Sequence, residues 1–460
     1  MNSRLSTIKT IIILAWPIVA EQLMMTAVQY IDTAMVGSLG TQATAAVGAT
    51  GSISFMLFSI MNGLGVAFLS HIARACGAGD QKRARALASQ AFIMVLTAGT
   101  LLTIIPLALS SRIPVWVRAD EAIRDMTRIY FIIVTAPILA RAATIILSAA
   151  LRAAGDTRTP MKVGIVVNLT NVILNFLLIY PTRQMTLLGF TFTMPGAGLG
   201  VIGAAAASAF AFMVGGTLIT IVFWHHPMLS PKGFKIRPDM TILVPCLKTA
   251  LPNILQRFGV SMGFVAFGTM VNSLGQASTA ANTIANTVEQ LFYIPAFGMQ
   301  TAASTLIGNA YGAQDGKLMK RYASLFMPIQ VTIMFTAGLA LFVSAPFLMS
   351  LFSSSPEVIT MGATVLRMVA VSEPFYGFSL ITEGYMFGVG KTKAPFVYNI
   401  IGMWGVRITS TYICTQILGL GLIAVWGCMI AHNMVIFCIY TVIYTRQLWN
   451  PLRDVKKCEA

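Results

Sequence analysis

A chain of 460 residues that is 56% hydrophobic and only 10% charged, with a mean hydropathy of +0.77, is not a water-soluble domain. Soluble folds carry roughly a quarter charged residues, because part of any folded surface must stay wet. The formal charge of +16 suggests nucleic acid at first sight, but its basic residues sit in alternate connections between apolar runs and report topology instead. The six cysteines show no metal or disulfide spacing. Cys246, Cys414, Cys428 and Cys438 fall in or beside apolar runs and read as small core residues.

Each apolar run supplies the roughly 20 residues that cross a bilayer, and a backbone in lipid must bond to itself. Runs without two-residue alternation choose helices. Twelve are predicted near 10–36, 47–70, 90–110, 129–150, 162–180, 200–224, 246–272, 279–305, 322–345, 360–387, 395–415 and 421–445. The first is too long for a cleaved signal peptide and contains Glu21 and Asp32. Arg74, Lys82, Arg83, Arg85, Arg152, Arg158, Lys162, Lys232, Lys235, Arg237, Lys317, Lys320, Arg321, Lys391 and Lys393 lie in the even-numbered connections, on the side of Arg4 and Lys9. The tail adds Arg446, Arg453, Lys456 and Lys457. The opposite connections hold Arg112, Arg118, Arg124, Arg128 and Arg183. By the positive-inside rule both termini are cytoplasmic and the spans are even in number.

Shifting the sequence by 235 residues superimposes landmark on landmark. Pro17 meets Pro252, Ser38-Leu39-Gly40 meets Ser273-Leu274-Gly275, and Gly77-Ala78 meets Gly312-Ala313. Asp80 meets Asp315, Lys82 meets Lys317, and Gly155, Thr157 and Pro160 meet Gly390, Thr392 and Pro395. Only the connection before Gly198-Leu199-Gly200 is longer than its counterpart before Gly419-Leu420-Gly421, by fourteen residues. The predicted fold is an all-α polytopic membrane protein, twelve transmembrane helices in two pseudo-symmetric six-helix bundles around a central cleft. The expected domains are an N-terminal lobe 1–224, a cytoplasmic linker 225–239, a C-terminal lobe 240–446 and a cytoplasmic tail 447–460.

An ionisable side chain within a span is costly, about 2.5 kcal/mol or more at mid-helix, so each is a functional hypothesis. Asp32 leads. Glu21 lies eleven residues, three turns, before it and faces the same way. Asn168, Asn171 and Asn175 share one face of the fifth helix. A carboxylate with amide oxygens suits a proton or sodium relay; asparagine as interhelical glue is the alternative. Asn282, Asn286, Glu289 and Tyr293 form a second stripe, in which Glu289 binds substrate or cation, or neutralises Arg257. Glu373, before Pro374, and Glu383 line the cleft or sit near a helix end. Arg141 and Arg407 read as counter-ions or snorkelling side chains, His432 as a packing residue. There is no phosphate loop, metal-spaced His/Cys set or nucleophile elbow, so an enzyme or ATP-driven pump is not expected.

The run Pro17…Asp32-Thr33-Ala34-Met35-Val36-Gly37-Ser38-Leu39-Gly40, the Gly77-Ala78-Gly79 turn, Ala154-Gly155-Asp156-Thr157-Arg158-Thr159-Pro160 and Gly388-Val389-Gly390-Lys391-Thr392-Lys393 together resemble the MATE (multidrug and toxic compound extrusion) family, bacterial NorM/DinF-like, over nearly the whole chain. The resemblance implies a secondary antiporter of the inner membrane that exports amphipathic or cationic small molecules against protons or sodium ions. It also implies no cofactor, no nucleic-acid partner and a monomer in the lipid bilayer. By position, Asp32 matches the family's helix-one cation-site aspartate, with sodium as a possible occupant; Asn171 and Asn175 match the helix-five pair, and Ser208 stands where members commonly have Thr. The C-terminal half departs from the pattern. Val260 and Tyr376 occupy its acidic positions, leaving Glu289 and Glu373 as the acids available to substitute. The competing reading is a lipid-linked oligosaccharide flippase of the same superfamily.

Overall fold

A computed structural model describes residues 2–117, 119–187, 190–233 and 237–448. Arg118, Lys235, Arg453, Lys456 and Lys457 lie outside the described residues, as does the tail beyond 448. Among the described residues twelve helical spans follow one another. They are α1 Asn2–Gly37, α2 Thr41–Gly77, α3 Gln81–Ala108, α4 in two segments (Arg124–Thr135 and Ile138–Ala153), α5 Arg158–Leu178 and α6 Gly200–His225. The second half supplies α7 Met240–Asn272, α8 Gln276–Gly312, α9 Gly316–Ser350, α10 Pro356–Gly388, α11 over 393–417 and α12 Leu422–Ile443.

Nine of these are singly long and apolar enough to cross a membrane, and α4 is a tenth, bent by 45°. The bend falls at Pro137, which has no backbone N–H to continue the ladder. α8 carries the polar stripe, and α11 widens into π-helical turns at Ile401–Ile408 and Ile413–Ile417. The helices outrun their predicted bounds. α1 has 36 residues, about 54 Å at the helical rise, against a hydrocarbon layer of about 30 Å. Hydropathy marks only the lipid-covered part, while backbone hydrogen bonding continues into water. Val343, Phe347 and Leu101 are more than half exposed, as lipid permits.

The longer connection of the first half is a β-hairpin, β1 Pro181–Leu187 paired antiparallel with β2 Phe190–Ala197. The sequence marked this connection only by its extra length. Arg183 on β1 lies 3.9 Å above the ring of Tyr180, whose hydroxyl hydrogen-bonds Ser38 at 2.8 Å.

The internal repeat is written into the backbone. Gly40 (φ +107°) and Gly275 (φ +98°) close the first turn of each half in the left-handed region. Gly79 (φ +70°) corresponds to Gln314 (φ +54°), the one described residue other than glycine with positive φ. The halves also make one contact twice: a Cβ on Gly77 would lie 1.8 Å from the Asn309 carbonyl oxygen, and one on Gly312 would lie 2.0 Å from that of Arg74, the equivalent of Asn309. Each glycine admits the backbone of the other helix.

Packing divides the chain into two compact units. One comprises Met1–Val19, Leu69–Asp80 and Cys246–Ala460; the other comprises Ala20–Phe68 and Gln81–Pro245. In the first, Ile11, Ala15 and Ile18 of α1 join Met299 and Ala302 of α8, Phe326 of α9, Tyr385 of α10 and Tyr440 of α12 in one buried cluster. In the second, Met35, Val36, Ala43, Ile179, Val201 and Ala204 form a smaller one.

Candidate functional site

Asp32 sits five residues before the end of α1, half-buried, opposite the last turns of α5. The Asn175 amide nitrogen donates a hydrogen bond to Asp32 Oδ1. It also reaches Asn171 Oδ1 at 3.2 Å, and the Asn171 amide nitrogen lies 3.1 Å from Ser208 Oγ on α6. Turning the Asn171 amide over satisfies more groups: its nitrogen then donates to Asp32 Oδ1 at 2.8 Å and Oδ2 at 3.2 Å, and its oxygen accepts from Ser208. In either orientation the four predicted residues of the first half form one hydrogen-bonded cluster. Helical spacing of four places Asn171 and Asn175 on one face, and the small Ser208 brings α6 close. The Asn175 carbonyl oxygen is buried and accepts no hydrogen bond. A carboxylate next to an unsatisfied amide oxygen is a donor set for a small hard cation or a proton.

Sequence reading missed Tyr130, on the first segment of α4, whose phenol lies within electrostatic reach of Asp32. A tyrosine amid the apolar residues of that segment was the available signal. Asn168, predicted on the same face, is buried with its amide nitrogen unpartnered and does not join the cluster. Glu21 is elsewhere. Both its oxygens accept from Arg152 of α4 at 2.7 Å, and its stem packs against Gly164 of α5. Arg141 faces the rings of Phe212 at 4.7 Å and Phe58 at 5.5 Å.

The acids of the second half fall into separate settings. Glu383 is buried in a cage of amides: Oε1 accepts from Gln256 at 2.6 Å and Asn399 at 3.0 Å, Oε2 from Gln300 at 2.8 Å. Glu289 is 3% exposed and accepts from Tyr293. The option that Glu289 neutralises Arg257 does not hold. Arg257 donates to Asn253 at 3.3 Å and lies in the field of Glu383, while the cation acting on Glu289 is Arg407.

The predicted stripe on α8 also divides. Asn282 accepts from the Trp426 indole at 3.1 Å, and Asn286 donates back to its own helix at 2.8 Å. Glu373 is 1% exposed with neither oxygen partnered. Tyr293 and Tyr376 place their rings 4.9 Å apart. Among the described residues no three His, Cys, Asp or Glu side chains gather to hold a metal.

The MatE family model matches residues 17–177 and again 252–413, two copies that begin 235 residues apart, as the glycines and prolines do. The chain is 26% identical over 427 residues to a probable multidrug resistance protein NorM of Thermotoga maritima, covering 92% of this chain and 89% of that one. It is 24% identical to a probable multidrug resistance protein YoeA of Bacillus subtilis, covering 94% and 92%. A crystal structure of a MATE in complex with MaL6 superimposes with a TM-score of 0.89 at 22% identity, covering 97% of each chain. That likeness establishes twelve helices in two bundles as the fold.

Proposed function

The chain belongs to the MatE family, and on that footing we propose that it is a secondary antiporter exporting amphipathic or cationic small molecules in exchange for protons or sodium ions. Members of this family are multi-pass membrane transporters, not enzymes, and this chain is one of them. The observation that carries the finer reading is the Asp32 cluster, in which two amides, one of them tied to a hydroxyl, hold one carboxylate inside a span.

Asp32 is the principal coupling site. Its charge reports whether an ion is bound, and Asn171, Asn175 and Ser208 supply neutral oxygens in place of lost water. A ligand shifts a conformational equilibrium only by its differential affinity, so ion and substrate must favour opposite states. Glu289, Glu373 and Glu383, in their separate settings, remain the acidic candidates of the second half, with Asn282, Asn286 and Arg257 as further candidates. The curated relatives' multidrug names support drug export over lipid-linked sugar flipping. The basic connections support an inner-membrane orientation with both termini cytoplasmic. Lobes 1–224 and 240–446, joined by the linker 225–239, are the repeat units, and the monomer is the functional form.

Gradient-driven efflux in proteoliposomes tests this. Asp32→Asn keeps shape and hydrogen bonding but removes the titrating charge. The variant should insert normally, retain substrate binding and lose ion-driven efflux. Near-normal efflux at matched protein levels would refute the coupling role.

A further inference from the structure

Carried forward by 235 residues, the Asp32 cluster lands on side chains of different chemistry. Phe267 stands at the position of Asp32, Val406 at that of Asn171 and Ser410 at that of Asn175. Next to Val406 is Arg407, whose guanidinium lies 4.2 Å from the centroid of Phe267 and 4.9 Å from that of Phe264. Where the first repeat presents a carboxylate, the second presents a guanidinium stacked on a ring.

Arg407 is 5% exposed, yet its Nε and Nη2 have no hydrogen-bond partner. Among the described residues no carboxylate comes within ion-pairing distance of it, although Glu289 acts on it through space. Stacking holds the guanidinium plane and leaves its N–H edge free. More donor capacity is close. His432 on α12 lies in the field of Arg407, and neither of its ring nitrogens has a partner. Thr411, one turn along α11, is wholly buried with an unpartnered hydroxyl. The stretch Ile401–Ile408 that carries Arg407 is π-helical, a local widening often found at functional sites.

A fork of unsatisfied donors without a bonded acceptor matches a planar anion, and a carboxylate fits it bidentately. Phe264 and Phe267 stack on the guanidinium, and the paired rings of Tyr293 and Tyr376 lie in its field. We propose that Arg407 is an anion-recognition residue that holds the carboxylate of an amphipathic, carboxylate-bearing or zwitterionic substrate. The inference rests on the transport reading for its meaning in the cell, and assigns the substrate's carboxylate a partner in the second half.

The test is binding of dansyl-phenylalanine and its methyl ester, followed by dansyl fluorescence on the purified full chain in nanodiscs. Wild type should prefer the acid to the ester. Arg407→Gln should weaken acid binding by roughly 10- to 100-fold and leave the ester unchanged, the scale of a lost charged hydrogen-bond pair. Arg407→Lys keeps the charge but not the fork, and should lose several-fold for the acid alone. It carries the test if the glutamine variant does not fold. Equal losses for both probes, or equal binding of both by wild type, would overturn the proposal. Chloride-dependent thermal stabilisation that Arg407→Gln abolishes, with no effect of the acid, would assign the site to an inorganic anion and overturn it too. Acid-selective binding in a protein with no gradient-driven efflux would sink the transport reading and uphold the role of Arg407.

Discussion

The two halves descend from one pattern but handle buried charge in opposite ways. In the first, Asp32 is half-buried and wired by Asn171, Asn175 and Ser208. In the second, the matching positions are Phe267, Val406 and Ser410, and the charge nearby is that of Arg407. Acids persist there at new places, Glu289 and Glu373 buried and Glu383 caged by three amides. A repeat therefore conserves backbone turns, which the fold needs twice, and lets the halves diverge in side chains.

The largest expected effect separates the halves directly. Asp32→Asn should reduce gradient-driven efflux at least 100-fold at matched expression, roughly the weight of one essential charged group. Glu383→Gln should cost far less, because its amide partners can turn to bond a neutral amide. Efflux assays on the two variants side by side sharpen the contrast, and equal losses would break it.

A second contrast concerns stability. Arg152→Met leaves Glu21 as a lone, largely buried carboxylate and should destabilise the protein by about 3 kcal/mol. Adding Glu21→Gln should recover most of that. Thermal unfolding in detergent measures the cycle, and strictly additive losses would show that the two groups do not act as a pair.

Gly77→Ala and Gly312→Ala probe a contact that the two halves make in the same way. Each added methyl would overlap a carbonyl of the other helix, so each variant should be destabilised, and by similar amounts. Gly79→Ala, in open space, should show only backbone strain. Ser208→Ala should act more gently, weakening coupling-ion affinity about fivefold for one lost hydrogen bond.

The smallest effect lies outside the membrane. His226 caps the turn after α6, its Nδ1 accepting from the amides of Met228 and Leu229 at 3.3 and 3.2 Å. Burial pushes its pKa below the usual 6.5, against a smaller upward pull from Asp156. The unfolded chain then binds the proton more readily, so this contribution is complete above about pH 6.5 and fades as the pH falls below it. His226→Gln should flatten that acid-side loss in a thermal-unfolding series.

Span number, helical class, the repeat and the identity of Asp32, Asn171, Asn175 and Ser208 were legible without coordinates. Lipid enforces a long apolar period, and a polar side chain inside such a run stands out against it. The family-level motifs added the cluster's membership. Tertiary structure alone decided which charges meet. Arg257 and Glu289 lie on adjoining helices, yet Arg257 donates to Asn253, and the cation whose field reaches Glu289 is Arg407. Glu21 found Arg152 across 131 residues, and Glu383 drew its amides from three other helices. The hairpin at Pro181 looked like an ordinary long connection. Spacing along a helix specifies a face but not what that face meets. The partner depends on rotation and crossing of packed helices, quantities set jointly by many weak contacts and by glycines such as Gly77 that allow close approach.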